Sequence, residues 1–361
     1  MGALSKSIRT GARFLAAPYY VVTGIEKNAN TRMDIVWSGP NEHLAYLIKR
    51  IFEPESSEIK YVGRHMLPRL DSLLARFGCD IAMVIAPHIV VSRIALTHDI
   101  SLPLWVDTSV ELNDKQPLPQ TRDIKRSLKR FADNGCTWKM SSSPTDVRYF
   151  FDSIYLPTIH SSHGDSALPA SLDDRLTIVK NGRAELMQVF QKDQCIAGLI
   201  IDFRNQVPAL REIGVLNGSH ELKQQGIIPS LNYYAFEHLR LKGFGVVSLG
   251  LSRPFLDDGV LQFKRKFRPE ISATADECLL FRIRKKTASV RSMLCASPCF
   301  AYHKNRLART FFQDTEFGTT FAEDDKSYLD WDFGVPAIRV VDLSNMPLAD
   351  NKLNTSLVKR A

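Results

Sequence analysis

Leu222-Lys223-Gln224-Gln225-Gly226-Ile227-Ile228-Pro229-Ser230 is the stretch on which the fold turns. It lies between an apolar run at 210–216 and a helical pattern at 228–242, which Gly243 ends in the usual C-terminal position. A second apolar run follows at 244–249, so the order is strand, loop, helix, strand. Gly226 can take backbone angles barred to other residues, and Pro229 suits the first turn of a helix, where the N–H it lacks would be unpaired. The free amides of that turn and the helix dipole favour an anion, with pyrophosphate the natural candidate. Gln225, Gly226, Ile227, Ile228 and Ser230 are the expected phosphate-holding residues.

Outward from this centre the alternation continues. Residues 184–191 and 195–203 read as strands joined at Lys192-Asp193-Gln194, which is hairpin spacing. Downstream comes the basic aromatic cluster Gln262-Phe263-Lys264-Arg265-Lys266-Phe267-Arg268, then a strand at 277–284. Residues 122–131 form a helical stretch with Ile124, Leu128 and Phe131 on one stripe and five basic residues on the other faces. Ser141-Ser142-Ser143-Pro144-Thr145 reads as a capped turn that starts another helix, running to about residue 159.

In the first hundred residues, 34–37, 79–85, 90–96 and 102–106 read as strands, and 42–52 and 66–76 as helices. Beyond Lys286 a helical stretch is expected to about residue 312. A polar, acidic segment, a late strand near 337–341 and a frayed end from Asn351 follow. The fold class expected from this pattern is α/β with mixed (α+β) sheets.

With 361 residues, the chain exceeds the size at which single cores usually stop growing, so two domains are expected. Hydrophobic and charged contents of 44% and 24% are those of an ordinary globular protein, which excludes a largely disordered chain. The net charge of +8 favours anionic partners: nucleotide phosphates, RNA or anionic lipid headgroups. No apolar run reaches the roughly 18 residues that would cross a bilayer, so no transmembrane helix is expected.

Lys6, Arg9 and Arg13 precede a short apolar stretch that Pro18 interrupts, with no small-residue cleavage site after it. A mobile tail or a short interfacial helix, with peripheral membrane contact, is the reading for 1–30. Six scattered cysteines point to a reducing cytoplasm. Cys295, Cys299 and His303 would share one face of a helix, but no fourth ligand accompanies them, so no metal is expected.

The hairpin-strand-loop-helix-strand order, with Tyr233, Tyr234 and Ala235 on the helix and Lys242-Gly243-Phe244 at its end, resembles the acyl-CoA-binding half of the GNAT acetyltransferase superfamily. The continuation Gly250-Leu251-Ser252-Arg253-Pro254, followed by Phe263-Lys264-Arg265-Lys266-Phe267, looks like the Fem-like (FemAB-related) branch. The resemblance spans roughly residues 100–285 and is clearest after 195. It implies two GNAT-like domains, the C-terminal one better defined: a degenerate one at 31–120 and an acyltransferase domain at 171–345. The basic helix and a connecting segment would lie between them at 121–170, with a frayed tail at 346–361.

The resemblance implies an N-acyltransferase that moves an acyl group from acyl-CoA or acetyl-CoA to an amine, such as an envelope or exopolysaccharide amino sugar. The family's usual phosphate loop is Arg/Gln-x-x-Gly-x-Gly/Ala, and this chain keeps only the first glycine position. An aminoacyl-tRNA donor is therefore the runner-up, and a non-catalytic scaffold binding an anionic partner the third reading. DNA is not an expected partner.

Within this picture Lys264 matches the lysine of a Phe-Lys-x-x-Phe/Trp element near the transfer centre, where a cation would stabilise an oxyanion. His163, Asp202 and Glu212 are candidate bases, Tyr233 and Tyr234 candidate acids, and Arg253 a further cofactor-binding residue. Gly-x-Ser-x-Gly is absent, so direct attack by the amine is expected rather than a covalent enzyme intermediate.

Overall fold

A computed structural model describes residues 17–113, 118, 121–163, 170–274, 276–317 and 334–346. The tails at 1–16 and 347–361 and the acidic segment at 318–333 lie outside the described residues. The chain is mixed α/β and divides into two compact units. The first comprises 1–106, 253–261 and 272–361; the second comprises 107–252 and 262–271.

In chain order the first unit begins with β1 (Ala17–Glu26), β2 (Thr31–Ser38), β3 (Glu58–His65), β4 (Ile81–Pro87) and β5 (Ile100–Pro103). Then come β6 (Val106–Glu111), β7 (Thr137–Ser141), β8 (Ala184–Gln191), β9 (Gln194–Asp202), β10 (Ala209–Val215), β11 (Val246–Ser252) and β12 (Glu270–Ala273). The chain ends with β13 (Glu277–Ile283), β14 (Cys299–His303), β15 (Arg306–Gln313) and β16 (Ile338–Asp342).

The first unit is built on a six-stranded sheet of order β3-β1-β2-β4-β13-β5. Two of its interior strands, β4 and β13, are apolar on both faces, as a sheet covered on both sides requires. Ile81, Met83 and Ile85 of β4 face one core with Leu279 and Phe281 of β13, while Ala82 and Val84 face the other with Cys278 and Leu280. Arg282 stands where β13 would otherwise place an apolar residue, and it is matched by Asp99, whose carboxylate it meets at 2.7 Å. A three-stranded sheet, β14-β15-β16, completes the unit.

These strands cut the chain at points other than those expected from chain order. β13, expected with the C-terminal domain, lies between β4 and β5, because its register pairs Leu280 with Val84 on one side and with Ser101 on the other. Residues 17–26, expected in the tail, form β1, with Tyr19 and Val22 fully buried.

The second unit has a seven-stranded sheet of order β12-β6-β11-β10-β9-β8-β7. Lys192 and Asp193, both with positive φ, join β8 to β9 in a two-residue turn whose twist matches that of the flanking strands. The helix Ile227–Leu241 and the basic helix Arg122–Asp133 cover one face through Leu231, Phe236, Ile124 and Phe131. The other face is covered by Pro144–Tyr149, a π-helical stretch Phe150–Tyr155, and the helices Leu156–His163 and Leu172–Lys180. This layer sits close: a Cβ on Gly214 of β10 would lie 2.7 Å from the Ile154 carbonyl oxygen and 2.8 Å from Thr158 Oγ1. Thr158 Oγ1 uses that proximity, accepting from the Val215 amide and donating to its carbonyl.

Three expected elements differ. The strand expected at 102–106 is broken at Leu104-Trp105, β5 ending at Pro103 and β6 starting at Val106 in the seven-stranded sheet. Of the strand expected at 90–96, residues 90–94 belong to a helix, His88–Ile94, in which Val91 packs inward while Ile89 is exposed; a short β-branched run does not by itself separate strand from buried helix. The helix expected from 286 to about 312 stops at Cys295, ahead of Ser297-Pro298, and β14 and β15 follow as a hairpin turned at Lys304-Asn305, both with positive φ.

Candidate functional site

β10 and β11 are parallel, and their register has a single pair, Ala209 with Ser248. On its other side β10 pairs with β9, and the register shifts between Leu210 and Ile213, leaving Arg211 and Glu212 in a bulge. Beyond Ala209 the β11-facing edge of β10 therefore carries main-chain amides and carbonyls outside any ladder. The second unit thus presents a notch at the middle of its sheet.

The bulge turns Glu212 toward the helix Leu172–Lys180. Glu212 is buried, and its Oε1 lies 2.9 Å from Arg175, which also reaches Asp174. Its Oε2 is sealed from solvent and has no hydrogen-bond donor among the described residues. Asp202, at the end of β9, faces the same side. Arg204 grips it through both carboxylate oxygens, and Arg211 stands 3.8 Å away. Burial alone would raise the Asp202 carboxyl, but the Arg204 hydrogen bonds and charge outweigh it and hold the group below the ordinary carboxylate value.

That depression fixes the sign of an acid effect. A carboxyl lowered in the folded state contributes stability above its unfolded value of about 3.9, and the contribution is lost as pH falls through the folded value. Arg204→Gln raises the folded value, so the acid-unfolding midpoint, followed by circular dichroism between pH 6 and 2, is expected to move to higher pH.

The predicted phosphate loop follows a short helix, His220–Gln224, and Gly226 caps the long helix with φ 79°. The Gln225 and Gly226 amides are used within the preceding turn, donating to Glu221 and Lys223. Because Pro229 has no N–H, Ile227 and Ile228 hold the first-turn amides that a helix leaves outside its own ladder. Gly226 is pressed against the basic helix: a Cβ there would lie 2.9 Å from the Ser127 Cα. Arg130 of that helix donates to the Gln224 carbonyl at 2.9 Å. Ser230 is fully buried, and its Oγ and the Gln225 Oε1 have no hydrogen-bond partner among the described residues.

Tyr233 is buried on the same helix in the core that contains Phe236 and Val247. Tyr234 packs between Phe131 and Trp138, and burial pushes its phenol up. Lys264 belongs to the helix Gly259–Arg265. Its buried ammonium donates to the carbonyls of Gly250 and Leu251 at 2.7 and 2.9 Å, anchoring the C-terminal end of β11. Phe267 is fully buried against Phe236, and the partly buried Phe263 packs against Phe267. Arg122, Lys125, Arg126, Lys129 and Arg130 are all exposed, and none has a carboxylate partner among the described residues.

The expected site residues fall into separate places. Asp202 and Glu212 share one side of the second unit's sheet, while Tyr233 and the Gly226 loop lie with the helix on the other. His163 ends its helix, and its side chain lies outside what is described. Arg253 belongs to the first unit. Cys295, Cys299 and His303 do not share a helix, since Cys295 ends one and the other two open and close β14.

Sequence reasoning missed Arg175 and Arg204. The signal for Arg204 was present as Asp202-Phe203-Arg204 at a strand end, but Arg175 meets Glu212 only through tertiary packing.

No family model and no curated protein matches the chain. Among solved structures it is similar to FemX, with 10% identity, TM-score 0.39, and coverage of 76% of this chain and 90% of that one. L-PGS from Bacillus licheniformis aligns at 13% identity, TM-score 0.38, over 73% of this chain and 82% of that one. An aminoglycoside acetyltransferase from an uncultured soil metagenomic sample aligns at 16% identity and TM-score 0.28, over 38% of this chain and 90% of that one. At these identities and scores, the functional reading rests on the chain's own residues.

Proposed function

We propose that this chain is an N-acyltransferase that moves an acyl group from acyl-CoA to the amine of a small acceptor such as an amino sugar. The observation that carries the reading is the notch between β10 and β11, with Glu212 in the bulge at its side. An extended donor arm bearing amides can pair with the free edge of β10 as an added strand would. The residues near Gly226 suit a pyrophosphate in part. Ile227 and Ile228 supply first-turn amides, and the abutting basic helix, with Arg130 on the Gln224 carbonyl, brings cationic charge in place of the family's second glycine.

Transfer requires a neutral amine to attack the thioester carbonyl, so that a C–N bond forms, the C–S bond breaks and the thiol leaves with a proton. Glu212 is the proposed base for the amine proton: its Oε2 has no partner among the described residues, and because that oxygen is buried, the role requires the bound acceptor to reach it through the notch. Asp202 is the poorer choice, being clamped by Arg204 and held at low pKa. Lys264 acts by fixing the β11 end of the notch, with its charge directed at the carbonyls of Gly250 and Leu251. Tyr233 is left as the proton donor to the thiolate.

Calorimetric titration with acetyl-CoA and longer acyl-CoAs is expected to give saturable binding, and mixing with an amine acceptor to release free thiol. No measurable affinity for any acyl-CoA would remove this reading. The five exposed cations of the basic helix favour aminoacyl-tRNA as the second reading. In that case charged tRNA would bind and weaken steeply with added salt while acyl-CoA did not bind.

A further inference from the structure

Arg253 is a first-unit cation with no carboxylate partner among the described residues. Arg50, Arg282 and Arg291 of that unit each hold a carboxylate at 2.7–2.8 Å, from Asp257, Asp99 and Asp314. Arg253 is half-buried, yet no carboxylate among the described residues lies within ion-pair distance of it. Two aromatic rings take that place: its guanidinium carbon is 3.9 Å from the centre of the Trp105 ring and 4.7 Å from that of Tyr46. Stacking of this kind offsets part of the desolvation while consuming none of the N–H donors.

The hydrogen bonds leave one edge of the fork open. Nη1 is 2.8 Å from Nδ1 of the buried His43, which must accept there as a neutral imidazole, since a guanidinium only donates. Burial and the Arg253 charge both lower the His43 pKa, consistent with the neutral ring. His43 in turn packs edge-on to Trp105, with ring centres 5.9 Å apart. The nearby carboxylate of Asp258 is engaged by the Tyr46 hydroxyl at 3.2 Å rather than by Arg253. Nε and Nη2 have no acceptor among the described residues and are not sealed from solvent. Arg253 also helps to line a small, almost wholly apolar cavity with His43, Tyr46, Leu104, Phe255 and Leu279.

We propose that Arg253, held on Trp105 and Tyr46 and steered by His43, is a binding site for the oxyanion of a small molecule, a carboxylate or a phosphate group. The planar edge formed by Nε and Nη2 matches two oxygens of either group, and the aromatic floor restricts the approach to that edge. The site lies within the first unit and does not depend on the acyl-transfer reading.

The test uses the full chain. Inorganic phosphate and acetate are titrated separately at constant ionic strength against chloride, with binding read by calorimetry and by tryptophan fluorescence. One anion or both is expected to bind saturably, and whichever is preferred distinguishes a phosphate-bearing from a carboxylate-bearing ligand. Arg253→Gln is expected to weaken binding at least tenfold. Arg253→Lys, which keeps the charge and loses the fork, should fall between it and the parent. Arg253→Lys carries the test if Arg253→Gln does not fold. Failure of both anions to bind the parent, or an unchanged affinity in the folded Arg253 variants, overturns the proposal.

Discussion

Glu212→Gln is expected to lower kcat for acyl transfer by about a hundredfold to ten-thousandfold, the range over which general bases act, with acyl-CoA affinity changed less than about threefold. The substitution is nearly isosteric. The amide oxygen can still accept from Arg175, which also keeps Asp174 at 3.0 Å, so the bulge and its surroundings should persist. What is lost is the proton-accepting capacity of the carboxylate. A rate loss confined to kcat would mark Glu212 as the base. A parallel loss of folding cooperativity, or an unchanged kcat, would assign the residue to packing alone.

Arg282→Met is expected to destabilise the first unit by about 3–5 kcal/mol, because it strands a buried carboxylate. The Arg282 side chain is 5% exposed and that of Asp99 fully buried. Arg282 also donates to the Ile94 carbonyl and reaches Asp71, which is well exposed and can return to water. The double variant Arg282→Met with Asp99→Leu should recover most of the loss, since replacing both members of a buried pair is often close to neutral. Urea unfolding followed by circular dichroism measures both. If the double variant is no more stable than the single one, the cost lies in the Ile94 contact rather than in the stranded charge.

The part of the fold that sequence reading reached best is the part in which local signals agree. The β8–β9 hairpin, β10, the helix Ile227–Leu241 and its Gly243 stop, and the basic helix all combine a clear period with the right punctuation. The same reading could not assign β13 to a sheet. An apolar strand buried on both faces suits any central position, and its partners β4 and β5 are fixed only by register. Residues 297–312 look helical in composition but contain Lys304-Asn305, whose positive φ angles make the hairpin. The candidate site was legible as residue types and not as an arrangement. Glu212 and Asp202 lie on one face of the sheet because of a bulge and a helix contact that no spacing in the sequence announces.

The interleaving of the two units has a consequence for the order of synthesis. β4 leaves the ribosome early, apolar on both faces, but its neighbour β13 is made only after nearly the whole of the second unit. Until then β4 presents an unpaired edge to the surroundings, and β5 has no strand to join. The second unit, by contrast, lacks only its short final segment when β11 is complete. A nascent chain stalled at that stage should therefore contain a nearly finished second unit beside an open first sheet, which is the species most prone to aggregate or to recruit a chaperone.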